Sequence, residues 1–256
     1  MTMINASQPA ATAAADTVEI CVINPNSSEV ITEALSEALQ PLCPPGVSLR
    51  FLTGPPTAPA SINDAPTSIL SAAETFKHLT SLSPSNDLAR HPSSAYVVAC
   101  FSDHPLVAML RHSLPTKPSL HILEASVIHA LSCGTRFGVL TTGADMVPDV
   151  DAGVRRILGG VSDRYVGTVA TGLGVVELKM GDRAKVESTI KHGAAAVADR
   201  GADVVILGCA GMAGMESLIR QGIAEAGHQS NMAIIDGAKA GLQIAAGLAR
   251  SNYRSP

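Results

Sequence analysis

Apolar residues along this chain come in short continuous runs separated by longer mixed stretches. The runs are EICVINP, VSLRFLTG, AYVVAC and SLHILEA in the first half, then RFGVLTTG, RYVGTVATG, DVVILGC and MAIIDG in the second. Runs of this length, rich in Val and Ile and closed by Gly, Pro, Asn or Asp, predict strands covered on both faces. Between them apolar residues recur every three or four positions, which predicts helices over 27–40, 67–82, 104–112, 125–132, 145–158, 182–200, 215–226 and 238–250. Strands alternating with helices predict an α/β protein with mostly parallel sheets. The segment 81–94, with two prolines and several serines, is expected to be a surface loop or insertion.

The two sets of four strands form an internal repeat. ICVINPN pairs with FGVLTTG, LRFLTG with VGTVATG, AYVVACFSD with DVVILGCAG, and LHILEAS with MAIIDGA. The repeat predicts two pseudo-symmetric lobes, 17–131 and 132–236, each a mostly parallel four-stranded sheet flanked by helices. Residues 1–16 are expected to be a disordered leader, because they are small and polar with neither the basic start nor the apolar core of a signal peptide.

Chemistry enters at the third strand of each half. Both end in a cysteine, Cys100 and Cys209, and ligands in open α/β sheets bind outside the carboxyl ends of strands. A lone cysteine is most often a small packing residue. Two at equivalent strand tips, facing one interlobe cleft, suit a thiolate/thiol pair that removes a proton from one face of a carbon and returns one to the other. Cys21, Cys43 and Cys133 lack that context and are expected to be structural. Other strand tips supply polar candidates for substrate contact: Asn24 and Ser27 after the first strand, and Thr141 and Thr142 after the fifth. Beside the thiols stand Phe101, Ser102, Asp103 and His104 in one half and Ala210 and Gly211 in the other. For Asn24, Ser27 and His104 the alternative is helix capping.

Composition narrows the partners. A net charge of −4 and the absence of tryptophan give no reason to expect nucleic acid or an anionic membrane surface. No apolar segment reaches the roughly 18–20 residues of a membrane span. Five cysteines without close pairing point to reduced thiols and a cytoplasmic setting. Histidines and cysteines show no metal-ligand spacing, and neither GxGxxG after the first strand nor GxxxxGK[ST] is present, so no metal and no cofactor are expected.

The motifs INPNSS (23–28), VVACFSD (97–103), ILEA (122–125), GTRFGVLTT (134–142), VVILGCAGM (204–212) and AIIDG (233–237) together resemble the Asp/Glu/hydantoin racemase superfamily, particularly its hydantoin and allantoin racemase branch. The resemblance implies two α/β lobes around one active site, cofactor-independent proton transfer by Cys100 and Cys209, a homo-oligomer, and a chain end (237–256) whose helix returns to the first lobe. It also implies that the loop after Cys100 faces a small-molecule substrate. Hydantoin racemases typically read CFGDPGL there, whereas this chain reads CFSDHPL, which changes the bulk and polarity of that loop. The expected function is a racemase or epimerase acting at a carbon next to a carbonyl, hydantoin-like. The alternatives are an isomerase, lyase or cyclase using one catalytic cysteine on a specialised metabolite, and, from a different class, a non-catalytic small-molecule binder.

Overall fold

The computed structural model of the chain describes residues 17–251 other than 213 and 230; the leader expected over 1–16 lies outside them, as do 252–256. Among the described residues, eight parallel strands form two four-stranded sheets. The first runs β2-β1-β3-β4, with β1 at Val18–Asn24, β2 at Val47–Thr53, β3 at Ala95–Val98 and β4 at Ser119–His121. The second repeats that order as β6-β5-β7-β8, with β5 at Phe137–Thr141, β6 at Tyr165–Ala170, β7 at Val204–Leu207 and β8 at Ala233–Asp236. The central strands are apolar because both faces are covered: β3, β5 and β7 are buried along their whole length.

Helices α1 (Glu29–Leu39), α2 (Ala65–Ser81), α3 (Pro105–Ser113) and α4 (Ile122–Cys133) follow the strands of the first half. In the second half come α5 (Val147–Leu158), α6 (Val175–Met180), α7 (Arg183–Asp199), α8 (Glu216–Glu225) and α9 (Gly237–Arg250). One apolar cluster runs between the sheets. It joins Ile20, Val22 and Val97 of the first to Val139, Val204 and Ile206 of the second through Leu35 of α1, Leu123 of α4, Val150 of α5 and Leu242 of α9. Separate clusters lie on the outer faces, with α2 and α3 over the first sheet and α6, α7 and α8 over the second. Each buried Leu, Ile or Val contributes about 1.5–3 kcal/mol, so the inner cluster holds the lobes in fixed relation. Helix α9 packs on the first sheet: a Cβ at Gly241 would lie 2.8 Å from Val97 Cγ1, and Arg250 Nη1 donates to the Pro45 carbonyl at 3.3 Å.

Two elements differ from the sequence expectation. ILEA is not the end of a strand but the first turn of α4, because His121 caps that helix with Nδ1 accepting from Glu124 N–H at 3.1 Å. Helix α6 in VVELKM is too short for its period to stand out in the sequence. The segment 81–94 holds two single-turn 3-10 helices, Pro84–Asn86 and Leu88–Arg90. It is anchored by buried His91, which meets the Tyr96 hydroxyl at 3.0 Å.

Candidate active site

The carboxyl ends of β1, β3, β5 and β7 open onto one cleft between the sheets, with about 540 Å³ of empty space including its mouth. Cys100 and Cys209 both line it, partly exposed and not joined in a disulfide. Cys21 is buried inside β1, Cys43 sits with its thiol 3.1 Å from the Val47 carbonyl, and Cys133 is exposed at the end of α4. None of these three lines the cleft.

The two thiols have different neighbours. Cys100 Sγ lies 3.3 Å from Ser102 Oγ. Burial pushes its pKa up to about 12; the Ser102 hydroxyl works against this, and negative charge on Cys209 adds to it. Cys209 starts a 3-10 turn, Ala210–Met212, and Gly211 N–H donates to its sulfur at 3.3 Å. A backbone donor aimed at sulfur favours the thiolate. Because charge on one thiol raises the other, the pair resists carrying two negative charges.

Of the other predicted residues, Phe101, Thr141, Thr142, Ala210 and Gly211 line the cleft. Thr141 spends its hydroxyl on the Gly208 carbonyl at 3.0 Å, tying β5 to the residue before Cys209. Asn24, Ser27, Ser102, Asp103 and His104 are not part of the lining. Asn24 donates to the Ser28 carbonyl (2.9 Å) and Thr32 Oγ1 (3.1 Å) and so shapes its loop, while Ser27 N–H bonds Pro59 O at 3.1 Å. Asp103 reaches the second half of the chain. It pairs with Arg156 of α5 and faces His121 Nε2 at 3.4 Å, and the two, His121 foremost, hold its carboxyl below the usual range. Arg156 is largely exposed, so this pair alone contributes at most about 1 kcal/mol. His104 is buried as the N-cap of α3, and burial pushes its pKa down to about 4.

Sequence reasoning passed over Asn26, Ile31, Ser61, Ile62 and Met146, which also line the cleft. Asn26 was within the quoted INPNSS. Ser61 and Ile62 belong to the long loop after β2, another strand end on the same side. Gly54 lets that loop close on the β1 loop, since a Cβ there would sit 2.8 Å from the Pro25 carbonyl oxygen. Among the described residues no Asp, Glu, Lys, Arg or His side chain lines the cleft, and the ionisable groups on its wall are the two thiols. Among the described residues no three His, Cys, Asp or Glu side chains are grouped to hold a metal ion.

Two like α/β lobes with a strand-tip thiol from each on a shared cleft define a racemase-type architecture. The family model for Asp/Glu/hydantoin racemase matches residues 20–245, and the chain belongs to that family. It is thereby an enzyme of the isomerase class. An uncharacterised protein of Schizosaccharomyces pombe is 38% identical over 92% of this chain and 93% of its own. The hydantoin racemase of Paenarthrobacter aurescens is 27% identical over 93% and 94%. The crystal structure of allantoin racemase from Pseudomonas fluorescens superposes with a TM-score of 0.77 at 26% identity, covering 93% of this chain and 97% of that one. No described helix is long and apolar enough to cross a membrane.

Proposed function

We propose that this enzyme racemises an uncharged cyclic carbon acid of the 5-substituted hydantoin type without a cofactor, with Cys100 and Cys209 as the two proton-transfer groups. The observation that carries the reading is the cleft wall: two thiols from different sheets and, among the described residues, no other ionisable side chain. A free α-amino acid would bring an ammonium and a carboxylate against a wall whose described residues offer neither a charged partner, which costs several kcal/mol. A cyclic ureide carries no such charges and can use the neutral donors Asn26 and Thr142.

In this mechanism one thiolate takes the hydrogen from the carbon between ring nitrogen and carbonyl. The negative charge passes into the carbonyl oxygen, where neutral donors stabilise it, and the opposite thiol delivers its proton to the other face. With its pKa pushed to about 12, Cys100 holds its proton at neutral pH. In that direction of turnover Cys209, whose sulfur accepts the Gly211 N–H, is the base. One catalytic cycle leaves the proton on Cys209 and the charge on Cys100, ready for the opposite enantiomer.

Polarimetry on enantiopure 5-alkyl hydantoins, with matched free amino acids in parallel and no added cofactor, tests this. Loss of rotation for the hydantoins alone is the expected result. Racemisation of the amino acids instead, or net conversion to a new product, would overturn the assignment.

A further inference from the structure

Beneath the Cys100 loop lies a buried polar pair that the proton-transfer scheme does not use. Ser71 of α2 is fully buried, and its hydroxyl lies 2.9 Å from His104 Nε2 and 2.9 Å from the Ser68 carbonyl. His104 Nδ1 accepts the Leu106 N–H at 3.4 Å. A ring nitrogen that accepts from a backbone N–H carries no proton, so the ring is neutral with its proton on Nε2, which donates to Ser71 Oγ. Ser71 in turn donates to Ser68. Every hydrogen in this chain has one direction to point, and at 1% exposure His104 cannot exchange it for water.

The same buried face of α2 holds a second first-lobe cleft loop, the one after β1. Thr75, one turn beyond Ser71, donates to the Pro25 carbonyl at 3.1 Å, next to cleft-lining Asn26. On the far side of the Cys100 loop, Asp103 is fixed to His121 and Arg156. The loop from Cys100 to His104 is therefore clamped at its end between α2 and the α4–α5 side, while neither Ser71 nor His104 reaches the cleft.

We infer that Ser71 and His104 are positioning residues for Cys100: through their buried bond, α2 holds the thiol in line with the reacting carbon. The inference rests on Cys100 being a reacting group, as proposed above. It also accounts for histidine where the resemblance leads one to expect the more flexible proline-glycine loop: a buried ring replaces flexibility with a fixed bond.

Ser71→Ala and His104→Asn test it, the asparagine keeping an oxygen that can cap α3. Each is expected to lower kcat by about tenfold, the scale of one well-placed hydrogen bond, with KM little changed. Site-resolved carbamidomethylation by iodoacetamide supplies a second readout independent of turnover. In both variants the Cys100 to Cys209 labelling ratio should shift by a comparable factor, with Cys209 unchanged. Unchanged kcat and labelling ratio would overturn the inference. So would equal shifts at both cysteines with a lowered Tm, which mean general loosening. If the intact protein racemises no hydantoin but the ratio still shifts selectively, the positioning role stands and the substrate assignment falls.

Discussion

The tips of β3 and β7 occupy equivalent places in the repeat, yet they hold their cysteines by different means. Cys100 follows Ala99, has a side-chain hydroxyl at its sulfur, and leads into a loop secured by buried His104 and by Asp103. Cys209 follows Gly208, receives a backbone N–H at its sulfur, and leads into a tight turn. Behind that turn stands Asp236, which caps α9 through Ala238 and Lys239 N–H and accepts Gly214 N–H at 3.3 Å. The repeat thus keeps the strands and the thiols in both halves, while the surroundings differ: a buried hydroxyl neighbour at one thiol and a backbone N–H at the other.

The largest effect expected is loss of either thiol. Cys100→Ala and Cys209→Ala should each reduce kcat/KM by about 10³-fold or more, and the double variant should be little worse than either, because both act in one step. Near-wild-type activity in one of them, measured by polarimetry, would break the equivalence of the two tips.

Acid should separate the tips thermodynamically. His104 has a folded-state pKa of about 4 against an unfolded value near 6.5, so its contribution is present above pH 6.5 and is lost as pH falls toward 4. The full loss is on the order of 3 kcal/mol. Asp236 shifts the other way, since burial pushes its carboxyl up and folding therefore gains at low pH. Denaturant titrations between pH 7 and 4 should show a shallower stability loss for His104→Asn than for the wild type. Parallel curves would remove His104 as the acid-sensitive group.

Gly208 offers a smaller test. A Cβ there would lie 2.6 Å from Val139 Cγ1 and 2.9 Å from the Leu140 carbonyl oxygen, so Gly208→Ala must displace the β7 tip. The expected cost is about 1–3 kcal/mol in stability, with kcat falling alongside. Adding a methyl at Gly208 should harm activity more than removing the one at Ala99, as paired kinetics would show. Ser102→Ala is the mildest case: losing the hydroxyl 3.3 Å from Cys100 should change kcat/KM by less than about tenfold.

Much of this was legible in the sequence. Strand runs such as YVVAC and VVILGC are read correctly because burial on both faces leaves no polar position to confuse the period. The place of the two thiols on the cleft is legible because the repeat puts them at matching strand ends. The misreadings have local causes. ILEA continues the apolar run of SLH, but Leu, Glu and Ala are good helix formers and the His121 cap starts the helix there. Asn24 and His104 carry polar side chains at the right strand ends, yet Ser28 and Thr32 engage the first and Ser71 of α2 the second. Ile62 reaches the cleft from a loop whose course depends on the backbone contact of Gly54 with Pro25, and Met146 from the short 3-10 turn Ala144–Met146, neither of which any periodicity records.

The most direct test of the central claim is proton NMR in D₂O on an enantiopure 5-substituted hydantoin, with wild type, Cys100→Ser and Cys209→Ser in parallel. The account predicts that wild type replaces the C5 hydrogen by deuterium as the optical rotation decays, and that both variants are severely slowed. Exchange no faster than the uncatalysed background with wild type, or full activity in either variant, would contradict it.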